Sequence, residues 1–591
     1  MKKFGTLLMA CIVVWAGIWL QPGAAQAGVT DLLPENMQIV VKFGSFEAMQ
    51  KNLAITATSV FGQPIPNIEQ MKADLGFNPL NAAELKANGF DSGKEFGFAA
   101  ADIIVPAKGA PNEVPNVNVL VFLPVTDGAK ALKAITTATQ KGSATTKITQ
   151  EGALTVMAGP KPEERAYLSV KDAYLWIAFN PKTPAKPFLE AVLGKATSLT
   201  KAKAYANVAA KISAAKDLLA YVNLAKFMEK NLATIKDLSK ESTMAKGGPD
   251  VSAWLDYLAD YEGAGLAVDL GTPNLTVQSV TNFSAGAKSL KAWQGLQPNK
   301  NAVLGIPENP VVLLSAMLNA AEYYKLFKEA LQGPEAQNFQ TQLDSLKTSL
   351  GFDVEKDVLD NLAGNLNLGI YDGQSVTMGN FNTLLTVSVK DEKLLQGVIA
   401  KLLAQVPPAQ QSTISKQTVG GVEANVMMAG PAQVYAGVKN KNLIVALGPV
   451  MFEKALKGDV AAGFVSKLTD QELAGKMKGG ENLLYLSVDE TMKTVKNFEM
   501  FFQAMTPQGK GIEPQVYAAA GKFEYALASS KLEGASLLSN LTVKTRFNEP
   551  FFAAVAKLAQ SLAPAAPQQP PAKPQQSQSP QKPAKPQPKQ K

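Results

Sequence analysis

The sequence predicts an α+β protein: two homologous tandem halves, each of antiparallel sheets with helices packed on one face. Three observations lead there. Short apolar strands follow one another across turns too tight for parallel crossovers, capped helices succeed several of them, and four motifs recur in the same order at nearly one offset. Met157-Ala158-Gly159-Pro160 returns as Met428-Ala429-Gly430-Pro431, and Tyr167-Leu168-Ser169-Val170-Lys171 is echoed by Tyr435-Ala436-Gly437-Val438-Lys439. Leu75-Gly76-Phe77 returns as Leu350-Gly351-Phe352, and Asn274-Leu275-Thr276-Val277 as Asn540-Leu541-Thr542-Val543. Any one match is trivial; four collinear ones divide the chain into halves at 28–296 and 297–563, with Gln297-Pro298-Asn299 at the junction.

The elements follow in chain order. Residues 1–27 read as a secretory signal peptide: Lys2 and Lys3, an apolar run from Leu7 to Leu20, then the small-x-small Ala25-Gln26-Ala27. Cleavage is expected between Ala27 and Gly28. Two rivals stand beside this reading. Leu8-Met9-Ala10-Cys11 loosely matches a lipoprotein box, although the apolar run continues past Cys11, and 4–20 is near the lower length for an uncleaved anchor.

Asn78 before Pro79 is a helix start, cap followed by proline, and Asp353 fills the same slot in the second half. Residues 119–125 read as a strand, after which Asp127 caps a helix over 128–134. Strands at 153–157, 166–170 and 174–179 form hairpins, with Lys171-Asp172-Ala173 as a turn. The half closes with a strand at 275–283 and a helix at 286–292. Its counterpart offers strands at 384–389, 434–438, 443–447 and 541–547, with Asp391 and Asn548 opening helices. Strand, helical stretch, two adjacent strands, closing helix: that unit is expected four times. Residues 564–591 are a disordered Pro/Gln/Lys-rich tail, reaching up to roughly 90 Å in polyproline geometry. It reads as a solubiliser or as a weak electrostatic tether to anionic cell-wall polymer or lipid headgroups.

Composition removes much chemistry. The 591 residues include no histidine, and the one cysteine, Cys11, lies in the leader. Histidine triads, cysteine nucleophiles, structural disulfides and Cys/His zinc sites are excluded. The net charge of +8 rests on two leader lysines and five in the tail (Lys573, Lys582, Lys585, Lys589, Lys591), so the remainder is close to neutral. Arg165 and Arg546 are the sole arginines, and no basic stripe interleaves with aromatics, which argues against nucleic acid.

The candidate sites each have a mundane rival. Asp256 and Asp260, beside Tyr257, Tyr261 and Glu262, are spaced for acid–base work or a hard cation, or simply form an exposed helical face. Asp353, Glu355, Asp357 and Asp360 divide between a cation site and a capped first turn. Gly509-Lys510-Gly511 lacks the glycine and hydroxyl spacing of a phosphate loop. Met492, Val495, Phe498, Phe502 and Met505, with Met500 and Phe501 adjoining, describe a core helix or an adaptable apolar groove. No catalytic, cofactor-binding or metal residue is assigned.

The run Leu350-Gly351-Phe352-Asp353-Val354-Glu355-Lys356-Asp357-Val358-Leu359, leading through Leu362-Ala363-Gly364 into a strand at 365–371, resembles a family of large secreted bacterial proteins classified only as a domain of unknown function. The resemblance extends over 30–560 and implies two tandem copies, an opening strand over 33–43, a bacterial envelope context and no catalytic residues. The expectation is therefore a secreted, non-enzymatic envelope protein, periplasmic or extracellular, that binds or scaffolds an unknown protein or envelope polymer. The alternative is a carrier or chaperone for a lipid or other hydrophobic ligand.

Overall fold

The structure, a computed structural model, describes residues 28–558 apart from 48–71, 107–113, 245–251, 295–305, 372–381, 506–513 and several shorter intervals. The leader with Cys11 and Ala27, the expected junction at Gln297-Pro298-Asn299, Gly509-Lys510-Gly511 and the tail lie outside the described residues.

The first series of strands is β1 (Ile39–Phe43), β2 (Phe96–Ile104), β3 (Asn116–Pro124), β4 (Lys147–Glu151), β5 (Leu154–Ala158), β6 (Arg165–Lys171), β7 (Tyr174–Phe179), β8 (Leu218–Val222), β9 (Tyr261–Asp269) and β10 (Leu275–Phe283). The second is β11 (Val312–Met317), β12 (Leu362–Tyr371), β13 (Asn382–Val389), β14 (Ile414–Val419), β15 (Val422–Ala429), β16 (Ala432–Lys439), β17 (Asn442–Leu447), β18 (Asn482–Ser487), β19 (Phe523–Glu533) and β20 (Ser536–Thr545). All pair antiparallel into one sheet. From one edge its order is β4-β5-β6-β7-β3-β2-β1-β8-β9-β10. From the other it is β14-β15-β16-β17-β13-β12-β11-β18-β19-β20, the same permutation. The two series meet where β10 pairs with β20, and Thr276 lies opposite Thr542.

Helices fill corresponding connections. α1 (Ala82–Ala87), α2 (Gly128–Gly142), α3 (Lys186–Leu193), α4 (Lys203–Ala209), α5 (Leu224–Met244) and α6 (Lys288–Lys291) belong to the first series. α7 (Ala320–Ala330), α8 (Gly333–Leu350), α9 (Glu392–Ala404), α10 (Pro449–Lys457), α11 (Gln471–Gly479), α12 (Val488–Met505) and α13 (Pro514–Ala520) belong to the second. Caps start them as the residue types dictate: Asp127 Oδ1 accepts from Lys130 N at 3.1 Å before α2, and Asp391 Oδ1 accepts from Lys393 N at 2.8 Å before α9. The turn before β7 has Asp172 and Ala173 at φ of 53° and 60°, the left-handed pair a two-residue hairpin needs.

Helices do not keep to one face of the first series, contrary to the sequence expectation. On β3, Leu120 and Phe122 join a core with Phe188, Leu189 and Tyr205 of α3 and α4. Val121 and Leu123 point the other way, to Leu85 of α1 and Ala131 of α2. The signal lay in the unbroken apolar runs of β3 and β7, since a strand buried on both faces loses its alternation. In the second series one face packs against α10 and α11 through Phe452, Leu456 and Met477. The opposite face carries only a small cluster where Leu395 of α9 meets Val389 and Val438.

Smaller departures have local causes. The opening strand begins at Ile39 rather than at Leu33, because Val29–Asp31 form a 3-10 turn whose Val29 is fully buried, and Pro34 bridges to Ser198. The cap of α1 is Asn81, not Asn78: Asn81 Oδ1 takes Ala83 N and Glu84 N, while Glu84 Oε2 reaches back to Asn78 N at 2.7 Å. The helix expected over 286–292 shortens to the single turn of α6, and the last strand starts at Ser536.

Candidate functional site

The acidic candidates are absorbed by local structure. Asp256 and Asp260 sit on a 3-10 helix, Ser252–Asp260, where a four-residue spacing does not align side chains as it would on an α-helix. Asp256 pairs with Lys236, and Asp260 Oδ2 takes the backbone N–H of Ser289 at 2.7 Å, fastening α6. Tyr257 donates to Leu326 O at 3.2 Å, Tyr261 lies 5.1 Å from the Phe283 ring, and Glu262 faces Lys203 at 3.6 Å.

The second group is a cap, as the first-turn reading expected. Asp353 takes the N–H groups of Glu355 and Lys356 at the start of a π-helical turn, Val354–Leu359, and pairs with Lys347 at 2.9 Å. The Lys347 ammonium and those backbone donors hold its carboxyl below the usual carboxylate range. Asp357 Oδ2 returns to Asp353 N at 2.8 Å, the role Glu84 plays for Asn78. Glu355 pairs with Lys328, and the Asp360 carbonyl accepts from Lys390 at 2.6 Å. Among the described residues no three acidic side chains converge on one point. Of the apolar run on α12, Met492 and Val495 are half-buried, whereas the side chains of Phe498, Phe502 and Met505 lie outside the described residues.

A different place collects apolar surface. A groove of about 360 Å³ crosses β10, β20, β19, β18 and β11 on the sparsely covered face. Cross-strand register builds its floor: Val277, Leu541, Ala528, Leu484 and Leu314 stand opposite one another in a row. Traced through the first series, the same row runs on as Val268, Leu218, Phe43 and Phe96, all buried. Phe46 covers it there, stacked on Phe96 at 4.0 Å. Traced the other way it continues as Leu368, Leu385 and Val445. Leu484 is 50% exposed and Leu314 37%, so one aliphatic ladder is core in one series and surface in the other.

The uncovered stretch has a physical cause. The chain that follows β1 supplies Phe46 and Phe77 to the core. The corresponding helices after β11 turn their aromatics on each other, Phe327 and Tyr324 on Phe339, and Tyr323 on Trp293 beside α6. Beside the aliphatic row runs a polar one, Ser279, Ser539, Ser530 and Asn482, in which Asn482 Nδ2 donates to Ser530 Oγ at 3.3 Å. No charged side chain lines the groove. Sequence reading missed it because its members come from five strands far apart in the chain. The one available signal was strands such as 312–317 and 482–487 that are apolar on both alternating positions.

Fold and groove together define an α+β protein built around one long antiparallel sheet, with an apolar, uncharged channel on its surface. The chain belongs to the family described as "Protein of unknown function (DUF3352)", whose model matches residues 93–516. No curated protein matches it. A solved structure titled "Structure of crystal form I of TP0453" is similar at 7% identity and a TM-score of 0.21, over 44% of this chain and 79% of that one, too slight a likeness to carry an argument. Among the described residues no helix is long and apolar enough to cross a membrane.

Proposed function

We propose that the protein is a secreted, non-enzymatic component of a bacterial envelope that works by binding, with the open face of the sheet as its binding surface. The observation that carries this is the aliphatic ladder, which is core in the first series and uncovered among the described residues in the second. An apolar row of this kind is a place where something docks. The acids support a non-enzymatic reading, since caps and ion pairs already occupy them. The groove favours the second reading, a hydrophobic ligand, over a flat protein partner, because it is concave and of small-molecule size.

Secretion rests on the leader, with cleavage between Ala27 and Gly28; Val29 is already fully buried, which suits a mature chain that starts at Gly28. The chain is also read as an internal duplication. The shared strand permutation supports it, as does the equivalence of Thr276 and Thr542 in the repeated Asn-Leu-Thr-Val motif, which face each other as residues do across a two-fold axis. N-terminal sequencing of the exported protein, with fractionation of host cells, tests the reading. A terminus at Gly28 in the periplasmic or extracellular fraction is expected; an intact leader on a cytoplasmic protein would overturn it.

A further inference from the structure

We infer that the groove takes one esterified acyl chain of a membrane lipid, laid across the strands along the aliphatic row. This rests on the hydrophobic-ligand reading above and names the ligand's chemistry. Length comes first. From β10 to β17 the row crosses eight strands, and at about 4.8 Å per strand that is roughly 34 Å, a track for an extended chain rather than a compact ring system.

Charge comes second. A free fatty acid brings a carboxylate, and the lining offers no cation to meet it. An ester brings a neutral carbonyl, which accepts hydrogen bonds but needs no counter-charge. Ser279, Ser539 and Ser530 lie directly alongside the aliphatic row, and their hydroxyls are donors of the right kind. Small side chains give the channel its depth: Ala528 and Ser530 sit between the taller Leu541 and Leu484, so a chain settles between neighbours instead of resting on them.

The test uses the mature full-length chain and two fluorescent probes, a phosphatidylglycerol labelled in one acyl chain and the same labelled fatty acid unesterified. Tighter binding of the phospholipid, strengthening about fourfold per added methylene until the track is filled, is the expected result. Ala528→Phe and Ser530→Phe fill the channel from a half-exposed surface and should each weaken binding by at least about tenfold with Tm retained. Val516→Ser, at an exposed apolar position on α13, should leave it unchanged. Preference for the free acid, no binding of either probe, or binding indifferent to both Phe variants would overturn the assignment. The broader binding-surface reading fails separately: it falls if Ala528→Phe and wild type associate equally with the envelope fraction.

Discussion

At the residue scale, the repeated motifs mark positions where backbone geometry leaves little choice. Gly76 and Gly351 close their helices at φ of 80° and 72°, and the phenylalanine after each, Phe77 and Phe352, is buried to the same 6%. A side chain at the left-handed position is strained whatever space surrounds it. Gly351→Ala should therefore cost about 1 kcal/mol, read from a denaturant midpoint shifted at constant m-value. Asp102 adds a pH dependence. It sits at φ 52° in the bulge of β2, where hydrogen bonding by Lys230 at 2.7 Å, aided by Asn118, holds its carboxyl below the usual range. A lowered folded value gives stability that is complete above the ordinary aspartate range and is lost as pH falls through the folded value. The pair is near half exposed, so the effect is small. The Tm difference between wild type and Asp102→Asn should be constant at neutral pH and vanish in acid; a difference that grows in acid would contradict this origin.

At the scale of elements, the hairpins were legible because their signals are local. The strand at 174–179, the Asp127 and Asp391 caps and the Asp172-Ala173 turn each depend on a few adjacent residues. Which face each strand turns to its neighbours was not legible, because that depends on register with strands more than a hundred residues away. β18 shows why: Leu483 and Leu484 are identical in chemistry, yet one is 2% and the other 50% exposed. The acids failed as site candidates for a related reason: a 3-10 helix and a π-helical turn replaced the regular helix that their spacing assumed. Leu484→Asp should lower stability by no more than about 1 kcal/mol, whereas Leu483→Asp buries a charge and should cost about 3 kcal/mol or more. Thermal denaturation of the two variants decides; equal losses would mean that Leu484 is covered.

At the scale of the whole molecule, the sheet is continuous through the pairing of β10 with β20, eight facing residue pairs from Leu275↔Val543 to Asn282↔Ser536. Lys211 reaches across from the first series to Glu533 at 3.0 Å. A sheet joined by so long a ladder should unfold as one cooperative unit. Val280→Pro, at a buried position in the middle of that ladder, should split calorimetric unfolding into two transitions; a single transition in the variant would mean the series are held together elsewhere. The repeat was visible in the sequence as four short motifs. That the two series would join edge to edge, and leave one stretch of a shared aliphatic ladder open, was not, since no local pattern encodes which edge meets which.

The central claim is that this open stretch is a binding surface for an apolar chain. Native mass spectrometry of the mature protein, purified from its own host without detergent, tests it most directly. The account predicts a discrete added mass that leaves on denaturation, identifies as an acyl lipid, and is absent from the Ala528→Phe variant. The bare mass of the chain alone, in wild type and variant alike, would contradict it.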